Sequence, residues 1–145
     1  MSLAGWTQCY SDNYSSSTGN ITTILTTQCT KNKLLMACRP VGAANFTLLA
    51  AAPRADVTFE CGNQNNCTKQ SNGVGWYFNN SYSWGFAPGG EPVNRFSCDY
   101  NGGGQSVADK RLCWHTGGSV ASGYRCGDNS LNGDSGWQRA IFEAD

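Results

Sequence analysis

Eight cysteines constrain this chain more than any other feature: Cys9, Cys29, Cys38, Cys61, Cys67, Cys98, Cys113 and Cys126. Their number is even and they spread over nearly the whole length. Zinc sites use close pairs such as C-x-x-C, and none occurs. His115 is the sole histidine, which argues against a Cys/His metal site as well. Disulfides formed in an oxidising compartment are therefore the expected use of these residues, up to four bridges in all. Of the many possible pairings only Cys61 with Cys67 can be read directly. The polar stretch Gly62 to Asn66 separates them, and a hairpin there brings two cysteines within bonding distance. An extracellular location, secreted or at the cell surface, follows from the same reasoning.

Composition narrows the function classes. Lys plus Arg and Asp plus Glu number 10 each, so the net charge is zero. Charged residues make up only 14% of the 145 residues, against about 25% in an ordinary domain. No basic excess points to nucleic acid. No apolar run approaches the roughly 20 residues of a membrane span, so no membrane insertion is expected. An aromatic content of 12% does not fit a disordered tail. The expected organisation is one extracellular-type β domain over 1–145. Met1-Ser2-Leu3 leads straight into Ala4-Gly5-Trp6 without a signal peptide, and is read as a cloning remnant. Five N-x-S/T sequons, at Asn13, Asn20, Asn45, Asn66 and Asn79, are potential glycan sites in a eukaryotic secretory protein.

The local pattern is mostly strands and turns. Trp6 to Tyr10 reads as a first strand. Asn20 is a good helix N-cap, and Ile21, Ile24, Leu25 and Cys29 fall at helical spacing, which predicts one short helix over about 21–30. The run Lys33 to Cys38 reads as a buried strand stopped by Pro40. Asn45 to Ala51 and Ala55 to Cys61, separated by Pro53, read as a hairpin. Later strands are expected at Val93 to Cys98, Lys110 to Thr116, Ser122 to Cys126 and Trp137 to Glu143. The whole predicts a mainly β, antiparallel sandwich or barrel-like domain. The Gly-Trp starts at Trp6 and Trp137 suggest that the terminal strands are neighbours.

Gly73 to Phe86 is the clearest hairpin. Asn79-Asn80 suits a two-residue turn, because Asn tolerates the left-handed backbone. That turn sets Phe78 opposite Ser81, Tyr77 opposite Tyr82 and Trp76 opposite Ser83. One face then carries Tyr77, Tyr82, Trp84 and Phe86, and the other carries Val74, Trp76 and Phe78. With rings on both faces, either the hairpin is sealed on both sides or one face is an open platform. Tyr77, Tyr82 and Trp84 are the candidate ligand-binding residues of such a platform.

The run Asp128-Asn-Ser130-Leu-Asn132-Gly133-Asp134 places oxygen ligands at alternate positions, as a calcium loop does. Asp128, Ser130, Asn132 and Asp134 are the candidate ligands, with Glu143 or Asp99 completing the set. Arg139 stands where an EF-hand needs a bidentate Glu, and a plain polar turn is the alternative. Calcium is the one candidate cofactor, and none is required. Gly133-Asp134-Ser135-Gly136 resembles the nucleophile motif of chymotrypsin-like proteases, but Trp137 replaces the last Gly. The sole histidine also lies only twenty residues upstream of Ser135, so a triad is not expected. Paired carboxylates for glycosidic chemistry would come from Asp56, Glu60, Glu91, Asp99, Asp109 and Glu143. Asp56 and Glu60 are read on one face of a strand, with Arg54 beside them. The leading expectation is non-enzymatic extracellular recognition, most readily of carbohydrate. The partner is then a glycan or, in the alternative of a structural or adhesive domain, an extracellular protein.

Overall fold

Strands β1 (Thr7–Asn13) and β10 (Trp137–Ala144), the first and the last, lie side by side and antiparallel, with Thr7 opposite Glu143 and Asn13 opposite Gln138. In this computed structural model the described residues are 2–16, 20–62, 64, 66–94, 97–99, 107–117 and 124–145. The terminal pair continues through β2 (Lys33–Pro40) and β3 (Leu48–Pro53) into a four-stranded sheet ordered β1-β10-β2-β3. A six-stranded sheet faces it, in simple sequence order: β4 (Lys69–Ser71), β5 (Val74–Phe78), β6 (Ser83–Pro88), β7 (Leu112–His115), β8 (Arg125–Cys126) and β9 (Asn129–Ser130). All strand pairs are antiparallel, and neither sheet closes on itself, so the fold is a sandwich and not a barrel.

The interior follows from strand alternation. Leu34, Met36 and Ile141 of the smaller sheet meet Trp76, Trp84, Phe86, Leu112 and Trp114 of the larger. With few aliphatics available, three fully buried indoles supply the bulk that fills the space between the sheets. All eight cysteines are paired: Cys9–Cys29, Cys38–Cys126, Cys61–Cys67 and Cys98–Cys113. The Cys61–Cys67 pairing is the one read from the sequence. Cys38–Cys126 joins β2 to β8 and so ties the two sheets across the core.

Helix α1 (Ile21–Thr27) is capped by Asn20, whose Oδ1 accepts the Thr23 N–H at 3.3 Å. It buries Ile21, Ile24 and Leu25, as the spacing requires, but it is shorter than 21–30. The Gln28 and Cys29 amides both bond to the Ile24 carbonyl, which ends the regular ladder just before the Cys9–Cys29 bridge. The carbonyls of Leu25 and Cys29 accept from the Arg54 guanidinium.

Three other expectations are corrected. Ala55 to Cys61 is not a strand, and no hairpin joins it to Asn45–Ala51. Pro53 opens a short helix, α2 (Arg54–Val57), which buries Val57. β3 pairs with β2 instead. The aromatic hairpin does not turn at Asn79-Asn80. Phe78 pairs with Trp84, Tyr77 with Gly85 and Trp76 with Phe86. The cause is the Asn79 side chain, whose Oδ1 accepts the amides of Ser81 at 2.8 Å and Tyr82 at 3.2 Å and so holds a wider turn closed by Asn79 N to Ser83 O. An odd-numbered shift in register moves every β6 side chain to the other face. Of the later strands, Lys110–Thr116 contracts to β7 and Trp137–Glu143 extends to β10. Val93 to Cys98 is not a strand: its described residues form only a bridge between Asn94 and Ser97, closed by Ser97 N to Asn94 O. Ser122–Cys126 contracts to β8, with residues 95, 96, 122 and 123 outside the described residues.

Candidate functional site

The register places the expected aromatic platform inside the protein. Trp84 is fully buried; its Nε1–H donates to the Val57 carbonyl at 2.8 Å, and its ring meets Trp114 and Phe78 edge-on. Tyr77 points to the opposite face and is 1% exposed. Its hydroxyl lies 2.6 Å from Ser83 Oγ, and burial pushes its ionisation well above the ordinary tyrosine value. Only Tyr82, in the turn, keeps part of its surface, so the three residues form no shared platform. Asn79 of the fifth sequon is also buried, its Nδ2 donating to the Gly62 carbonyl at 2.7 Å.

The Asp128–Asp134 run is divided between two turns. Gly127-Asp128 joins β8 to β9, and Leu131 to Asp134 makes the next. Asn132 Oδ1 accepts the Tyr124 amide at 2.9 Å, and Asp134 Oδ1 accepts the Gly136 amide at 2.7 Å. Ser130 stands in β9. Neither completing carboxylate turns to this run: Asp99 binds Arg125 at 2.6 Å, and Glu143 Oε1 accepts the Thr30 amide.

The expected carboxylate pair separates. Asp56 sits in α2 and accepts from Ser71 Oγ at 2.8 Å, whereas Glu60 accepts the Gly62 amide at 2.8 Å. Arg54 reaches away to the end of α1. Asp109 is exposed in a short 3-10 turn. His115 stacks on Tyr124, with ring centroids 5.2 Å apart, and Ser135 is exposed ahead of β10.

His115 and Tyr124 belong to a polar cluster on the outer side of the six-stranded sheet. Arg125 bonds Asp99 and the Gly127 carbonyl, and buried Arg111 bonds the carbonyls of Pro92 and Cys98, with Glu91 at 3.7 Å. Burial lowers the His115 pKa and raises that of Tyr124, the latter helped by the Asp99 charge. The Tyr124 backbone has φ +87°, a sparsely populated conformation for a bulky residue, held by Asn132 and by the Leu131 amide. These charges satisfy one another and fasten the segments flanking β7 and β8 to the sheet.

The outer side of the four-stranded sheet is built differently. Alternation turns Lys33, Leu35, Ala37 and Arg39 of β2 outward, with Ala140 and Phe142 of β10 beside them. Leu49, Phe46, Leu3 and Trp6 pack over the apolar part of this face and stay half-exposed. Polar groups cross the strands in a line: Arg39 Nε donates to Gln138 Oε1 at 2.8 Å, and Gln138 Nε2 donates to Ser11 Oγ at 2.6 Å. At one end the Arg39 guanidinium lies over the Phe46 ring, 4.2 Å from its centroid, beside a depression of about 380 Å³ that Asn45 and Thr47 also line. At the other end Trp6 walls a depression of about 330 Å³ floored by Ala51, Ala52 and Pro53, with Lys33 and Asn72 at its rim.

Neither ring stands out in the sequence as a site residue. β2 reads as one continuous apolar run, which conceals which of its residues face outward. Trp6 carries a weak signal as the start of a strand, and Phe46 carries none. No protein-family model, curated protein or solved structure matches the chain.

Proposed function

We propose that the protein is a non-enzymatic extracellular recognition module that binds carbohydrate on the outer side of its four-stranded sheet. The observation that carries this reading is the pair of half-exposed rings, Phe46 and Trp6, each set in a depression with polar groups at its rim. The apolar C–H face of a pyranose stacks on such a ring, while amides and hydroxyls bond its edge. Asn45 and Thr47 line one depression and Asn72 the other, and their polar groups suit that role. Four disulfides support an oxidising, extracellular setting. The site moves from the hairpin to the opposite sheet, because the hairpin rings are core.

A glycan array probed with the oxidised protein, once in calcium and once in EDTA, tests this. Binding is expected in both conditions and is expected to be lost in Trp6→Ala or Phe46→Ala while the circular dichroism spectrum is kept. Binding that disappears in EDTA returns weight to the Asp128–Asp134 loop. No glycan binding in either condition turns the reading to the adhesive alternative, in which Leu49 and the apolar middle of the same face take a protein surface.

A further inference from the structure

The proposed carbohydrate face carries a charge pattern that the neutral chain as a whole does not. We infer that its ligand is an acidic polysaccharide of the polyuronate kind, a chain of sugar rings bearing carboxylates. This rests on the carbohydrate reading and narrows it.

Lys33 and Arg39 are the only charged residues among the outward-facing positions of β1, β10, β2 and β3. The two carboxylates in those strands, Asp12 and Glu143, alternate onto the inner side, where Glu143 is 7% exposed and bound to the Thr30 amide. Carboxylates nearby are otherwise engaged: Asp145 pairs with Lys31 at 3.5 Å, and Asp56, beyond Pro53, accepts from Ser71. Among the described residues neither Lys33 nor Arg39 has an ion-pair partner. Arg39 commits only Nε, to Gln138, and that bond together with the Phe46 ring fixes the guanidinium plane. Its Nη1 and Nη2 make no hydrogen bond to described residues and form the two-pronged donor that fits a carboxylate.

Each depression thus joins one ring to one cation: Phe46 with Arg39, and Trp6 with Lys33. A ring takes the sugar face and a cation takes the carboxylate, which is the combination a uronic acid presents. The two cations stand six positions apart along β2, about 20 Å at the rise of an extended strand. A single sugar cannot touch both ends, so the ligand is a chain of several units lying along β2. No acid stands at the outward positions of these four strands to repel it, and salt will weaken its binding.

The test titrates polygalacturonate, and the same polymer with its carboxyl groups reduced to alcohols, into the oxidised full-length chain by calorimetry. The charged polymer is expected to bind at least roughly tenfold more tightly than the reduced one. The Lys33→Gln/Arg39→Gln double variant, whose changes are at the surface, is expected to remove that difference. Trp6→Ala and Phe46→Ala are expected to weaken binding of both polymers. Equal binding of the two polymers, lost in the ring variants but indifferent to the charge variant, overturns the acidic ligand and leaves the carbohydrate reading standing. Charged-polymer binding that ignores both ring variants is plain ion exchange and overturns the inference. No binding of either polymer, together with an empty glycan array, overturns the carbohydrate reading itself and favours a protein partner.

Discussion

Arg139 and Tyr10 meet inside the sandwich, where the guanidinium donates to the tyrosine hydroxyl from Nε at 3.1 Å and from Nη2 at 2.9 Å. Arg139 is fully buried, and among the described residues no carboxylate forms an ion pair with it, although Asp12 stands opposite it in the β1–β10 ladder. Nη2 also donates to the Ser16 carbonyl, and the cation sits 5.9 Å from the ring centres of both Tyr10 and Trp114. Its Nη1 and the Trp114 Nε1 are buried without hydrogen-bond partners among the described residues. The ring faces and the two oxygen acceptors stand in for the water that a core cation has lost. Arg139→Ala should destabilise the fold by about 3–5 kcal/mol, since it empties core volume and strips the Tyr10 hydroxyl of its donor. Arg139→Met should cost less than Arg139→Ala, because it restores volume and removes one orphaned donor. Urea midpoints of the two variants give the comparison, and equal losses would show that the charge itself is indispensable.

Trp84→Ala should unfold the protein or weaken it by about 3–5 kcal/mol. The indole fills the centre of the core and its N–H satisfies the Val57 carbonyl that ends α2. Far-UV circular dichroism and a urea titration check this. A folded variant of near-native stability would mean that the sheets close over the missing ring.

The four disulfides should contribute unequally. Cys38–Cys126 spans 88 residues of sequence and Cys61–Cys67 spans 6. Loop-closure entropy assigns about 4.6 kcal/mol to the first and about 2 kcal/mol to the second. Replacing both cysteines of each pair by alanine and comparing thermal midpoints should show the inter-sheet bridge to be worth about twice the local one.

Both alkali and acid should destabilise the fold through buried titratable groups. Burial raises the ionisation of Tyr10, Tyr14, Tyr77 and Tyr124 above the ordinary value of 10.0. The unfolded chain releases these protons first, so stability is complete below pH 10 and falls as pH rises beyond it. On the acid side His115 has a lowered pKa through burial, so the unfolded chain takes up its proton first and stability falls as pH drops below 6.5. Urea midpoints across the pH range, with tyrosinate absorbance followed in parallel, read both limbs.

Elements that rest on local chemistry are legible in the sequence. Asn20 and the Ile21, Ile24, Leu25 spacing announce α1, Pro40 ends β2, and the short Cys61–Cys67 loop declares its bridge. What escapes depends on competition between distant groups. Asn79 prefers to bond two amides of its own turn over sitting in a two-residue turn, and that choice transfers Trp84 from surface to core. Arg54 looks like one member of an ion cluster on a strand, but its long side chain finds the open carbonyls of a helix nearly thirty residues earlier. The outward face of β2 is hidden for a further reason: Leu35 and Ala37 are covered by Phe46, Leu49 and Trp6, so both of its faces are apolar.

The rung between Thr7 and Glu143 also dictates how the molecule answers tension. A pull on residues 2 and 145 meets the β1–β10 ladder end-on, so hydrogen bonds open singly, as in a zipper, and not all together in shear. The tear is soon arrested. Once it passes Cys9 the load crosses to Cys29, and from Cys38 it crosses to Cys126. Residues 10–28 and 39–125 stay outside the stretched path, so the domain yields easily at first and then becomes a short, inextensible tether.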